Sequence, residues 1–239
     1  MTERRLSATS TLPSSHEIVG IAGVSGNGQS ALLEALCGQR ALVSGEVLAH
    51  GERVLPTRAA FAKHRMFSLP EEPLKNAAVG TMTVAENLAL RTFDRPPLAK
   101  GGWLSSAAMR RQANVLIDRY RIKTPSPSAP INTLSGGNIQ RTVLARELSG
   151  DVGILIVANP CAALDFTSTE AIHAEIMDQR NRGVAVLLVS EDLDEILELA
   201  DRVVVMSGGR ITYAAPIADT DRATIGHYMA GEKTAEAGV

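Results

Sequence analysis

Eight consecutive residues, Gly23-Val24-Ser25-Gly26-Asn27-Gly28-Gln29-Ser30, carry the spacing G-x4-G-x-[ST] of a loop that wraps phosphate. Glycines let such a backbone curl until several N–H groups converge, and the helix that follows adds its positive end. The residues placed to meet a nucleotide are Gly23, Ser25, Gly26, Asn27, Gly28, Gln29, Ser30 and Ala31, with the Ser30 hydroxyl of the type that holds magnesium. Gln29 stands where this spacing usually has Lys. A charge pair at about 4 Å is worth roughly 1–4 kcal/mol, and Gln leaves only a neutral donor. Taken alone, the run also reads as an ordinary tight strand–helix turn.

A second run, Leu134-Ser135-Gly136-Gly137-Asn138, continues into Ile139, Gln140 and Arg141. It opens a predicted helix, Gly136–Leu148. Ser135 is a good N-cap type, and the glycines bare backbone N–H groups at the helix's positive end.

The elements that must position these runs are legible as an alternation. Glu17–Ala22 predicts a strand feeding the glycine loop, and Ser30–Gly38 predicts the helix after it. Short strands are expected at Glu46–Ala49 and His64–Leu69. The stretch Val84–Ile122 reads as helical with a break at Pro96 and Pro97, and Thr124–Pro130 is a linker by composition. Strand Ile154–Val157, helix Ser168–Arg180, strand Val184–Val189, helix Leu193–Ala200 and strand Arg202–Met206 complete the pattern. Continuous aliphatic strands are those of a parallel sheet covered on both faces. The predicted fold is therefore α/β, a mostly parallel sheet flanked by helices, with a helical lobe inserted at about 75–130.

Composition narrows the function. A net charge of −2 and only 3% aromatic residues give neither a basic stripe nor stacking platforms, so nucleic acid is not an expected partner. No apolar run reaches the length of a membrane span, so no direct membrane insertion is expected. Cys37 and Cys161 do not make a disulfide framework, and no histidine has metal-ligand spacing with them. Residues 1–16 read as a flexible lead-in, 17–230 as one domain, and 231–239 as a tail.

The Leu134–Asn138 string resembles the LSGG(Q) signature of ATP-binding cassette (ABC) proteins, the P-loop NTPase class in which the signature binds the γ-phosphate of ATP held by an opposite domain. The resemblance runs from Glu17 to Ala230. EIVGIAGVSGNGQSALLEALCG, MTVAENLAL at Met82–Leu90, LSGGNIQR, ILIVANPCAALD and DRVVVMSGGRI are similar to the C-terminal half of fused ATP-binding subunits of simple-sugar and nucleoside importers. In that family the N-terminal half carries the working phosphate loop, and the C-terminal half is often degenerate but keeps its signature.

The resemblance implies roles residue by residue. Leu134, Ser135, Gly136, Gly137, Asn138 and Gln140 would complete a partner's site. Asp165 matches the D-loop and would touch the partner domain, although a simple helix cap explains it as well. Ala158 and Asn159 occupy the positions of the magnesium acid and the catalytic acid, and Glu191 that of the switch histidine. Glu71 occupies the Q-loop position, and 71–83 is the expected permease contact. The family's adenine-stacking aromatic has no counterpart before the phosphate loop, where only His16 could stack, and the leading antiparallel strands look abbreviated.

The expected protein is thus an ATP-binding subunit or half-subunit of an ABC importer. It would lie at the inner face of the cell membrane, held by transmembrane permease subunits and paired with a second nucleotide-binding domain. ATP is the expected cofactor, with magnesium bound weakly or through the partner's site, and turnover by the isolated chain should be weak or absent. An autonomous soluble ATPase and a non-enzymatic regulatory ABC domain are the competing readings.

Overall fold

The computed structural model describes residues 13–162 and 164–231. In chain order the first half holds β1 (Ile18–Ala22), α1 (Gln29–Leu36), β2 (Leu48–Ala49), β3 (Glu52–Arg53), α2 (Arg58–Lys63), β4 (Met66–Leu69), α3 (Pro73–Asn76), α4 (Val84–Ala89), β5 (Ala99–Lys100), β6 (Trp103–Leu104) and α5 (Ser106–Arg119). The second half holds α6 (Gly136–Leu148), β7 (Ile154–Ala158), α7 (Phe166–Asn181), β8 (Ala185–Ser190), α8 (Leu193–Leu199), β9 (Arg202–Ser207), β10 (Arg210–Pro216) and α9 (Arg222–Met229). The chain divides into two compact units, one comprising 1–68, 153–159 and 173–239, the other 69–152 and 160–172.

The first unit is organised by a sheet in the order β10-β9-β1-β8-β7-β4. β9, β1, β8 and β7 run parallel, and β10 returns antiparallel on β9. Every residue of β1 and of β8 is buried, which is why both read as unbroken aliphatic runs rather than as alternating ones. Val19, Ile21, Leu187, Val189, Val204 and Met206 form a core that Leu36 of α1 closes. Gly20 sets the approach of α8 to the sheet. A Cβ there would lie 2.8 Å from Ile196 Cγ2 and 3.1 Å from Ala200 Cβ, so only glycine lets the helix sit this close.

The second unit is helical and is held by buried polar groups. Thr83 and Glu86 cap α4 reciprocally: the Thr83 hydroxyl accepts from the Glu86 N–H, and the Glu86 carboxylate accepts from the Thr83 N–H. Asn87 is 1% exposed. Its Oδ1 accepts from the Val79 N–H at 2.8 Å, and its Nδ2 donates to the carbonyls of Val79, Met82 and Thr83, so the 79–83 loop is wound around one side chain. On α6, Glu147 is buried between Arg91 and Arg146, and the Arg146 guanidinium donates to the Ala77 carbonyl at 2.7 Å.

The structure departs from the sequence reading in several places. The stretch 84–122 has a helix on each side of Pro96 and Pro97, but more than a proline break separates them: a β5–β6 hairpin turning at Gly101 and Gly102 stands between α4 and α5. Strands of two residues are too short to show a period. β10 and α9 were not expected. β10 alternates exposed and half-buried residues as an edge strand does, and its small and polar residues gave no aliphatic run. α7 starts two residues before the expected Ser168. The lead-in at 1–12, the tail at 232–239 and any strands ahead of residue 13 lie outside the described residues.

Candidate functional site

β1 delivers the chain into the glycine loop, and α1 carries it away. Gly26 and Gly28 have φ of 85° and 108°, backbone that glycine adopts without strain. Gly28 also ends in a close approach, since a Cβ there would lie 3.3 Å from Gly209 Cα. The loop is latched to the β9–β10 turn. Asn27 Oδ1 accepts from the Gly208 N–H at 2.8 Å, and the Asn27 carbonyl accepts from the Gly209 N–H at 2.9 Å. The amides of Gly26 and Gly28 have no partner among the described residues. Two free amides on a left-handed glycine loop at a helix N-terminus suit phosphate oxygens.

Gln29 does not face outward as a phosphate ligand would. Its side chain is buried and folds back across the loop, where Nε2 donates to the Val24 carbonyl at 3.3 Å. A Cβ on Gly23 would lie 2.1 Å from that Nε2 and 2.6 Å from the Met206 carbonyl oxygen. Gly23→Ala is therefore expected to lower stability by about 1–3 kcal/mol through overpacking. The readout is a lower urea midpoint with an unchanged slope.

Ser25 and Ser30 are exposed, and Ala31 is half-buried on α1. The Ser30 hydroxyl is of a type that can ligate a cation, and the end of β7 carries no carboxylate. Ala158 there is buried, and Asn159 supplies an amide instead of a carboxylate. Its Oδ1 accepts from the Glu191 N–H at 3.0 Å, so these two positions meet and together shape the turn after β8. Glu191 itself is exposed, and Asp192 caps α8 by accepting from the Asp194 N–H. His16 precedes β1, whereas the loop follows it. The His16 ring sits against Gly183, ahead of β8, at the strand end opposite the loop. That position cannot serve for stacking an adenine whose phosphates lie in the loop.

The second unit carries the signature. Ser135 is the N-cap of α6, but its hydroxyl makes no backbone cap and instead accepts from Asn138 Nδ2 at 2.8 Å. Asn138 Oδ1 accepts from the Lys123 N–H at 2.7 Å, which ties the preceding linker to the helix start. Leu134 is half-buried, whereas Ser135 and Gly136 are exposed. Gly137 packs toward Leu164, whose Cδ2 would lie 3.3 Å from an added Cβ. Gln140 is buried and donates to the Pro160 carbonyl at 3.1 Å, so it holds the 160–165 segment and does not reach solvent.

Asp165 takes the helix-cap geometry: its carboxylate accepts from the Ser168 N–H and from the Ser168 hydroxyl, both at 2.9 Å. The same hydroxyl accepts from Arg141 on α6 at 3.2 Å. Arg141 and Ser168 were not singled out from sequence, because nothing in their spacing reveals a shared partner. The Ser168 N–H, then its hydroxyl, and the Arg141 charge hold the Asp165 carboxyl below its ordinary range. A carboxyl lowered in the folded state adds stability above its unfolded pKa and loses it as pH falls through the folded value. Asp165→Asn should therefore lower the urea midpoint at neutral pH and match the parent once both carboxyl forms are protonated.

A family model described as "ABC transporter" matches residues 8–162. The guanosine import ATP-binding protein NupO of Bacillus subtilis is 36% identical over 93% of this chain and 44% of its own length. The glucose import ATP-binding protein TsgD13 of Haloferax volcanii is 36% identical over 93% of this chain and 41% of its own length. The chain thus spans less than half the length of these relatives. Among solved structures, a dimeric ATP-binding cassette bound to ADP and phosphate superposes with a TM-score of 0.71 at 22% identity, covering 86% of this chain and 87% of that one. The family match runs through both the phosphate loop and the signature and takes in well over half of the sequence, so the chain belongs to the ABC transporter family.

Proposed function

We propose that this chain is the nucleotide-binding half of an importer for a simple sugar or nucleoside, and that it donates its signature to a partner domain's ATP site while its own site is degenerate. The observation that carries this reading is the contrast between the two glycine runs. Ser135 and Gly136 are exposed at the N-terminus of a 13-residue helix, open to a phosphate brought from outside. In the phosphate loop Gln29 is turned inward, and neither Ala158 nor Asn159 offers the anionic group that in-line attack by water requires. The loop can hold a nucleotide through Gly26 and Gly28, but it lacks the groups for turnover. Guanosine and glucose in the names of the relatives support a nucleoside or simple-sugar solute.

The permease contact falls on 71–83. Leu74, Val79 and Met82 are exposed there, and Asn87 together with Arg146 fixes the backbone behind them. No helix among the described residues is long and apolar enough to cross a membrane.

The test is steady-state magnesium-ATP turnover by the purified chain, alone and with an intact N-terminal half of a related subunit. The expected result is background alone and turnover in the mixture. Turnover by the chain alone, abolished by Ser30→Ala, would replace this reading with an autonomous ATPase.

A further inference from the structure

The chain's single tryptophan is the most exposed large apolar residue among the described residues. Trp103 is 84% exposed on β6 at the tip of the β5–β6 hairpin, with Leu104 beside it at 58%. Lys100 lies directly across the hairpin from Trp103, and Ala99 across from Leu104. Gly101 and Gly102, which make the turn, have no atom within 4 Å of where a Cβ would stand, so the turn is uncrowded.

The sequence that contains this hairpin is uneven in charge. Residues 91–123 hold eight Lys or Arg and two Asp, a net of +6 in a chain whose total is −2, with Arg91 engaged by Glu147. Arg95, Lys100, Arg110 and Arg111 are exposed, and among the described residues no acidic group pairs with any of them. Arg110 and Arg111 lie on the exposed face of α5, opposite Ala108 and Met109, which pack into a small core with Ala89 and Leu98. Nothing in the fold calls for a tryptophan or for these charges at this place.

We propose that the β5–β6 hairpin is an adsorption site for an anionic phospholipid surface. Trp103 and Leu104 would enter the headgroup layer, and Lys100, Arg95, Arg110 and Arg111 would meet the lipid phosphates. Tryptophan is enriched at this depth because its ring is apolar and its indole N–H is a donor. The exposure of Trp103 and Leu104 beside exposed cations favours a bilayer over an acidic protein. A protein hot spot buries its aromatic in a pocket ringed by contacts, whereas an exposed Trp-Leu pair on a two-residue strand needs only a soft surface to enter. Adsorption of this kind does not span the bilayer and adds to whatever a permease contributes.

The sole tryptophan reports on its own site without any labelling. The full chain is titrated with vesicles of equimolar phosphatidylglycerol and phosphatidylcholine, and separately with pure phosphatidylcholine. Trp103 emission is expected to shift to the blue with the anionic vesicles only, and the shift should be reversed by high salt. Each near-surface basic residue strengthens such binding about fivefold. Lys100→Gln with Arg111→Gln should therefore weaken partitioning roughly 25-fold in co-sedimentation, with an unchanged far-ultraviolet circular dichroism spectrum. Trp103→Ala should abolish co-sedimentation. An unshifted emission with both vesicles, an equal shift with both, or a shift produced by polyglutamate in place of vesicles would each overturn the proposal, the last in favour of an acidic protein partner.

Discussion

Glu147→Ala is expected to remove about 3–5 kcal/mol of stability, the largest loss of any single substitution considered for this chain. Glu147 is 0% exposed, and its carboxylate accepts from Arg146 Nε at 2.6 Å and from Arg91. Removing it leaves the Arg146 guanidinium, itself buried, without a counter-charge. The remaining carbonyl contacts of Arg146, to Ala77 and more weakly to Asn87, neutralise none of that charge. Glu147→Gln retains an acceptor of the same shape and should cost less than the alanine. The measurement is urea unfolding followed by circular dichroism, with amide exchange in 77–83 expected to quicken in both variants. An alanine variant within about 0.5 kcal/mol of the parent would mean that the buried pair contributes nothing beyond an apolar substitute.

The second large effect concerns turnover and leaves stability nearly untouched. Gly136→Asp is expected to lower magnesium-ATP turnover in the mixed assembly by up to about three powers of ten. The new carboxylate would face the partner-held phosphate, and a like charge at about 4 Å costs roughly 1–4 kcal/mol. The fold should tolerate the change. Nothing lies within 4 Å of a Cβ at Gly136, and its φ is outside the left-handed region. An acidic residue in a first helical turn is favoured by the helix dipole, so the urea midpoint should hold or rise. A variant that folds this well and turns over at the parent rate would show that the signature does not meet the nucleotide, and the shared-site reading would fail. Because stability and activity move in opposite directions here, misfolding cannot mimic the expected result.

The sequence by itself determined the class of the fold and the alternation of its main strands and helices. The aliphatic runs read as strands at 17–22, 154–157, 184–189 and 202–206 do form strands of one sheet, and each carries apolar character on both sides of its pleat, as a strand covered on both faces does. The glycine spacing at 23–30 and the Ser-Gly-Gly start of α6 were readable because they depend on backbone freedom, which is local. Only the tertiary structure decided what the side chains at those places do. Gln29 looked like a weakened phosphate donor, but the space beside Gly23 and the Val24 carbonyl draw it inward. Asn27 read from sequence as a nucleotide contact, and the fold ties its side chain to a turn about 180 residues away. Asp165, Ser168 and Arg141 act as one cluster across 27 residues of sequence, and Asn159 pairs with Glu191 across 32. The β5–β6 hairpin stayed hidden for a related reason: its strands are two residues long, and pairing between segments, which no local period records, is what makes them strands. Backbone conformation follows from near neighbours, whereas hydrogen-bond partners are chosen by whatever the fold brings alongside.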